Sequence, residues 1–119
     1  MDLDIFQTWT EETVVYRDSV EKFLDRPRDD QAEWLNLEAA VHGLVGESGE
    51  VLELMKKQFR NHLGEITPEF QGRLFDEVGD VAYYLVRVCE EAGFDLTEAL
   101  RHNQNKLTGR KSRGELRHE

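Results

Sequence analysis

Apolar positions recur every three or four residues along most of the chain, and no stretch alternates with the period of two that a half-buried strand requires. Ile5, Trp9, Tyr16, Val20 and Phe23 follow this spacing and predict a first helix over residues 3–24. The charged segment DRPRDD at 25–30, with Pro27 inside it, ends that helix. A second helix is expected over residues 31–60, with Trp34, Leu37, Val41, Leu44, Ser48, Val51, Met55 and Phe59 as its inward stripe. Gly43, Gly46 and Gly49 interrupt that stripe. Each costs a helix about 1 kcal/mol against alanine, so close packing or a bend is expected there.

The segment NHLGEITP at 61–68 reads as a loop. Thr67 followed by Pro68 supplies a cap and a proline at the first helical position. A third helix then runs over residues 68–92, with Phe70, Leu74, Val78, Val81, Leu85 and Val88 facing inward and Gly93 as its stop. Asp95, with Glu98 three residues on, resembles a capping box opening a fourth helix that carries Leu96, Ala99, Leu100 and Leu107. After Gly109 the chain has no apolar face. The expectation is an all-α, four-helix bundle-like domain over residues 1–109 followed by a frayed polar tail over 110–119. The second and third helices, joined by a short loop, should lie antiparallel.

Composition narrows the function. A length of 119 residues supports one core without disulfides, and the lone Cys89 sits in an apolar run as a small core residue. The net charge of −10 argues against nucleic acid and against anionic membrane surfaces, both of which need Lys and Arg. A phosphate ligand would need cations as intermediaries. No apolar run approaches a membrane span and the first residues lack a signal-peptide pattern, so a cytoplasmic protein is expected.

The candidate chemistry lies in two acidic pairs, Glu47 with Glu50 and Glu77 with Asp80. Residues three apart on a helix stand about 60° apart around its axis, so each pair projects from one side, at the rim of its apolar face. Antiparallel packing of the two helices would bring the four carboxylates to one level. Like charges at such spacing cost roughly 0.2–0.5 kcal/mol per pair in an exposed helix, and more when desolvated. A divalent cation reverses that sign, and all-oxygen ligands favour Mg²⁺ or Mn²⁺ over zinc. Neither helix carries the Glu-x-x-His of di-iron bundles. The competing reading is a solvated acidic face in a chain with 25 acidic residues.

At these residues the sequence resembles the MazG-like, all-α nucleoside triphosphate pyrophosphohydrolases. Their signature is Glu-x-x-Glu followed at a distance by Glu-x-x-Asp. Here ESGE at 47–50 and EVGD at 77–80 are separated by the 26 residues 51–76. A further block, Asn-x-x-Lys-Leu-x-x-Arg, matches NQNKLTGR, giving Asn103, Lys106 and Arg110. The resemblance covers about residues 35–111. It implies Mg²⁺-dependent hydrolysis of a nucleoside triphosphate, a deoxynucleotide foremost, to the monophosphate and pyrophosphate, by a homodimer or a dimer of dimers. On that reading Glu47, Glu50, Glu77 and Asp80 hold the metal, Glu47 accepts a proton from water, and Asn103, Lys106 and Arg110 contact phosphate or sugar. Some relatives carry another glutamate where Gly46 stands here, which leaves the choice of proton acceptor open.

Lys57 lies two turns past Glu50 on the same side, within reach of a phosphate. Tyr84 lies one turn past Asp80, where a packed core or interface tyrosine competes with a contact to sugar or phosphate. Trp9 and Trp34 are expected in the core. His42 and Lys56 point away from the acidic rim, and His102, just before Asn103, is expected as an exposed helix residue. Two other functions fit the same residues: phosphoribosyl-ATP pyrophosphatase, and a helical dimerisation module whose acidic rim only solubilises it.

Overall fold

The computed structural model describes residues 1–114. These form five helices, α1 (Leu3–Thr13), α2 (Tyr16–Leu24), α3 (Arg28–His62), α4 (Pro68–Ala92) and α5 (Leu96–Ser112), with no strand among the described residues. The all-α expectation holds, with five helices in place of four. The described chain falls into two compact units, residues 1–35 and the part from Asn36 onward.

In the first unit the expected single helix is two. α1 stops at Thr13, and Val14 turns extended (φ −66°, ψ 134°). Thr13, Val14 and Val15 form a β-branched run that loses side-chain freedom in a helix. The hydroxyls of Thr10 and Thr13 donate back to the carbonyls of Gln7 (2.6 Å) and Trp9 (3.0 Å), offering the backbone another set of partners. Asp2 caps α1 by accepting from the Asp4 N–H at 2.8 Å. Neither helix buries a residue, and Trp9, expected in the core, is 53% exposed.

α3 is 35 residues long, two or three longer at each end than the periodicity suggested. Pro27 sits just before it, its carbonyl accepting from the Gln31 N–H at 3.1 Å. The C-terminal end closes through Leu63 and Gly64, both with positive φ (53° and 80°). α4 opens as expected: Thr67 accepts from the Phe70 N–H at 3.1 Å and Pro68 follows it. It ends at left-handed Gly93 (φ 84°), with the Gly93 and Phe94 N–H groups both donating to the Cys89 carbonyl at 3.0 Å. Asp95 caps α5 by accepting from the Thr97 N–H at 2.8 Å. The return bond from Glu98 that would complete a capping box does not form among the described residues. α5 contacts α4 and continues through Gly109 to Ser112, so the first part of the expected tail is helical. The rest of that tail, residues 115–119, lies outside the described residues.

The inward faces of α3 and α4 differ from the expected stripes in one consistent way. On α3 the positions that lose solvent include Leu37, Ala40, Leu44, Glu47, Val51, Leu54 and Gln58. On α4 they include Phe70, Leu74, Glu77, Val81, Tyr84 and Val88. Both sets follow the alternating three-four spacing of a helix–helix seam. Trp34, Val41, Met55, Phe59 and Val78, expected inside, are 39–67% exposed. Glu77 and Tyr84 take positions that the sequence reading gave to Val78 and Leu85, and Glu47 the position given to Ser48. Cys89 is buried and free, as expected.

Candidate functional site

The two long helices run antiparallel along this seam. Asn36, Ala39 and Ala40 of α3 meet Tyr83, Tyr84, Arg87 and Glu91 of α4 around one hollow. Gly43 faces Tyr84. Glu47 meets Glu77 and Asp80. Glu50, Leu54 and Lys57 meet Arg73, Asp76 and Glu77 around a second hollow.

At the centre, one carboxylate oxygen from each of Glu47, Glu77 and Asp80 lies within 4.8 Å of the other two. Glu47 and Glu77 are half-buried because they occupy seam positions, and Asp80 is exposed one turn on from Glu77. The rim placement expected for all four carboxylates is therefore corrected for one member of each pair: Glu47 and Glu77 lie in the seam itself. Glu50 stands outside the three-oxygen group. It lies close enough to Glu77 to raise the latter's pKa, and it lines the second hollow beside it.

The electrostatics of Glu77 follow from this placement. Its pKa is raised above the ordinary carboxylate range, first by desolvation, then by the charges of Glu47, Asp80 and Glu50, and last by a hydrogen bond that its protonated form shares with Glu47. Its Oε2 is shut off from solvent and accepts no hydrogen bond from any described residue. A buried carboxylate oxygen without a donor demands an explanation. No cationic side chain forms an ion pair with Glu47, Glu77 or Asp80 among the described residues; the ion pairs lie elsewhere, as in Arg87–Glu91 at 2.9 Å and Arg17–Glu11 at 2.7 Å. The donor set is oxygen throughout, and it is short of positive charge. A hard divalent cation fits both facts.

The other predicted residues are dispersed around this centre. Lys57 lines the second hollow with Glu50 and Glu77. Tyr84 lines the first hollow, edge-on to Tyr83 with ring centroids 5.1 Å apart. Asn103, Lys106 and Arg110 are exposed positions on α5, and none of them lines either hollow. His42 lies 3.9 Å from Glu38 and Lys56 4.0 Å from Glu53, both exposed and off the acidic centre, as expected. Of the three glycines in α3, Gly43 alone has a close neighbour. Nothing comes within 4 Å of a Cβ placed on Gly46 or Gly49. Trp34, expected in the core, is 53% exposed.

Sequence reading missed Arg73, which lines the second hollow. The signal was present in the spacing. Arg73, Glu77 and Asp80 stand at i, i+4 and i+7, one stripe of α4.

The family model for the MazG nucleotide pyrophosphohydrolase domain matches residues 35–114. The chain is also 33% identical over 119 residues to the Gene 37 protein of Mycobacterium phage L5, an alignment that covers 96% of this chain and 92% of that protein. The name of that relative states no activity. No solved structure matches.

Proposed function

Because the chain belongs to the MazG nucleotide pyrophosphohydrolase family, we propose that it hydrolyses a nucleoside triphosphate, a deoxynucleotide foremost, between the α- and β-phosphates. The products are the monophosphate and pyrophosphate. The observation that carries this reading is the convergence of Glu47, Glu77 and Asp80 around an unsatisfied buried oxygen. In the proposal these three and Glu50 hold Mg²⁺, for which Mn²⁺ can substitute. When bound, the metal supplies positive charge for phosphate oxygens and lowers the pKa of the attacking water.

The residues of the chain do the rest. Water adds to one phosphorus of the α–β anhydride as the bridging oxygen leaves with the other, and the proton of the water passes to a carboxylate. Glu47 is our choice of acceptor. It is half-buried beside Glu77 and faces the centre of the cluster. Lys57 offers a positive charge at the edge of the cluster, Asn103, Lys106 and Arg110 offer contacts to phosphate or sugar, and Tyr84 a contact to the sugar. Cleavage of a phosphoric anhydride needs positioning and neutralised charge more than covalent chemistry, so such a set suffices.

The protein is proposed to work as a homodimer or a dimer of dimers. Among the described residues only Ala40, Phe70 and Cys89 are buried, while Val45, Leu52, Phe75 and Tyr83 of the second unit are 61–80% exposed. Apolar side chains left in water on this scale mark a surface for a partner. No helix among the described residues is long and apolar enough to cross a membrane, and the net charge of −10 speaks against a nucleic-acid partner.

The test is pyrophosphate release across a panel of ribo- and deoxyribonucleoside triphosphates with phosphoribosyl-ATP included, with Mg²⁺ and with chelator. Metal-dependent release from at least one triphosphate supports the proposal. No release from any of them overturns it.

A further inference from the structure

The hollow beyond the carboxylate cluster has features that the cluster alone does not require. It encloses about 240 Å³, below the roughly 300–1,000 Å³ of sites that surround a drug-sized ligand. No aromatic ring lines it, so a base has nothing to stack on. Two cations, Lys57 from α3 and Arg73 from α4, line it together with Glu50, Glu53, Asp76 and Glu77. With four carboxylates around them, neither cation forms an ion pair among the described residues, although Lys56 and Arg87 each find a carboxylate on their own helix.

We propose that Arg73, with Lys57 opposite it, is a phosphate-binding residue that holds the pyrophosphate portion of the substrate beside the carboxylate cluster. The inference rests on the pyrophosphohydrolase reading and adds to it the residue and the end of the site that receive the leaving group. A guanidinium offers a planar fork of donors that matches two phosphate oxygens, and Lys57 adds a point charge from the facing helix. Carboxylates outnumber cations four to two around the hollow. An anion alone is therefore repelled, and pyrophosphate enters only with a divalent cation at the neighbouring carboxylates. Metal and anion are coupled: each raises the affinity for the other.

Calorimetric titration with inorganic pyrophosphate, with and without saturating Mg²⁺, tests this on the intact protein. The wild type should bind pyrophosphate with Mg²⁺ and not without it. Arg73→Gln should weaken that binding by about tenfold, the loss of one charge-assisted pair, and Arg73→Lys should recover part of it. Mg²⁺ binding in the absence of pyrophosphate should be no weaker in either variant. If Arg73→Gln fails to fold by circular dichroism, Lys57→Gln decides the matter on the same scale. A folded Arg73→Gln protein that binds Mg²⁺-pyrophosphate as tightly as the wild type overturns the inference, as does a wild type that binds no pyrophosphate. Hydrolysis of triphosphates by the wild type is read separately. Turnover with an indifferent Arg73 removes this residue and leaves the proposed activity standing, and absence of turnover removes the activity itself.

Discussion

Gly43 of α3 faces the ring of Tyr84 on α4 so closely that a Cβ at position 43 would fall on the ring itself. The two residues interlock one turn from the carboxylate cluster and fix how near the helices approach there. Gly43→Ala gains about 1 kcal/mol of helix propensity and loses about 1–3 kcal/mol to overpacking. Net destabilisation is expected, seen as a lower thermal midpoint. In a Tyr84→Ala background the same change should become neutral or stabilising, because the ring is gone. Gly46→Ala is the control. Open space surrounds that position, so the full propensity gain of about 1 kcal/mol should appear.

The raised pKa of Glu77 gives the metal-free protein a particular pH dependence. A carboxyl whose folded pKa lies above its unfolded one keeps its proton in the native state after the unfolded chain has lost it. Stability therefore falls as pH rises from the ordinary carboxylate range through the raised pKa of Glu77. Chemical denaturation in chelator across that window should show the decline, and Glu77→Gln should flatten it. Mg²⁺ binding needs the ionised carboxylate, so added metal should raise the wild-type midpoint most above that window. In Glu77→Gln the metal effect should be lost.

Glu50 and Asp80 are exposed members of the acidic set, so their conservative replacements should leave the helices intact. Glu50→Gln and Asp80→Asn should each reduce pyrophosphate release to background with an unchanged circular dichroism spectrum. Near-normal turnover in either variant would remove that residue from the proposed site.

The exposed apolar side chains of the second unit carry a prediction of mass. Sedimentation equilibrium at micromolar concentration should return a dimer or a tetramer. A stable monomer would contradict the proposed assembly.

Much of this arrangement was legible in the chain, and the parts that were not have separate physical causes. Helical period, the Thr67–Pro68 start, the Gly93 stop and the Asp95 cap are local signals, and each lies where its chemistry requires. The two acidic pairs were visible because three-residue spacing on a helix is unambiguous. Seam positions were misread where polarity was taken as the guide. Glu77 and Tyr84 occupy the interface where Val78 and Leu85 were preferred on hydrophobicity, Glu47 does so where Ser48 was placed, and Ala40 and Leu54 do so where Val41 and Met55 were set one residue out of register. A carboxylate is expensive in such a position unless a partner compensates it, and an assignment by hydropathy sees only the expense. The break at Val14 was hidden because a β-branched run weakens a helix without forbidding it. Arg73 was missed although it shares a stripe of α4 with Glu77 and Asp80, because the hollow it lines is completed by Glu50, Glu53 and Lys57 of the facing helix.

The central claim is that four acidic side chains on two antiparallel helices support cleavage of a triphosphate between its first two phosphates. ³¹P nuclear magnetic resonance of a deoxynucleoside triphosphate incubated with the protein and Mg²⁺ tests it most directly. Equal amounts of nucleoside monophosphate and pyrophosphate are expected, with neither formed in chelator. Release of orthophosphate with a diphosphate product, or an unchanged triphosphate across the whole nucleotide panel, would contradict it.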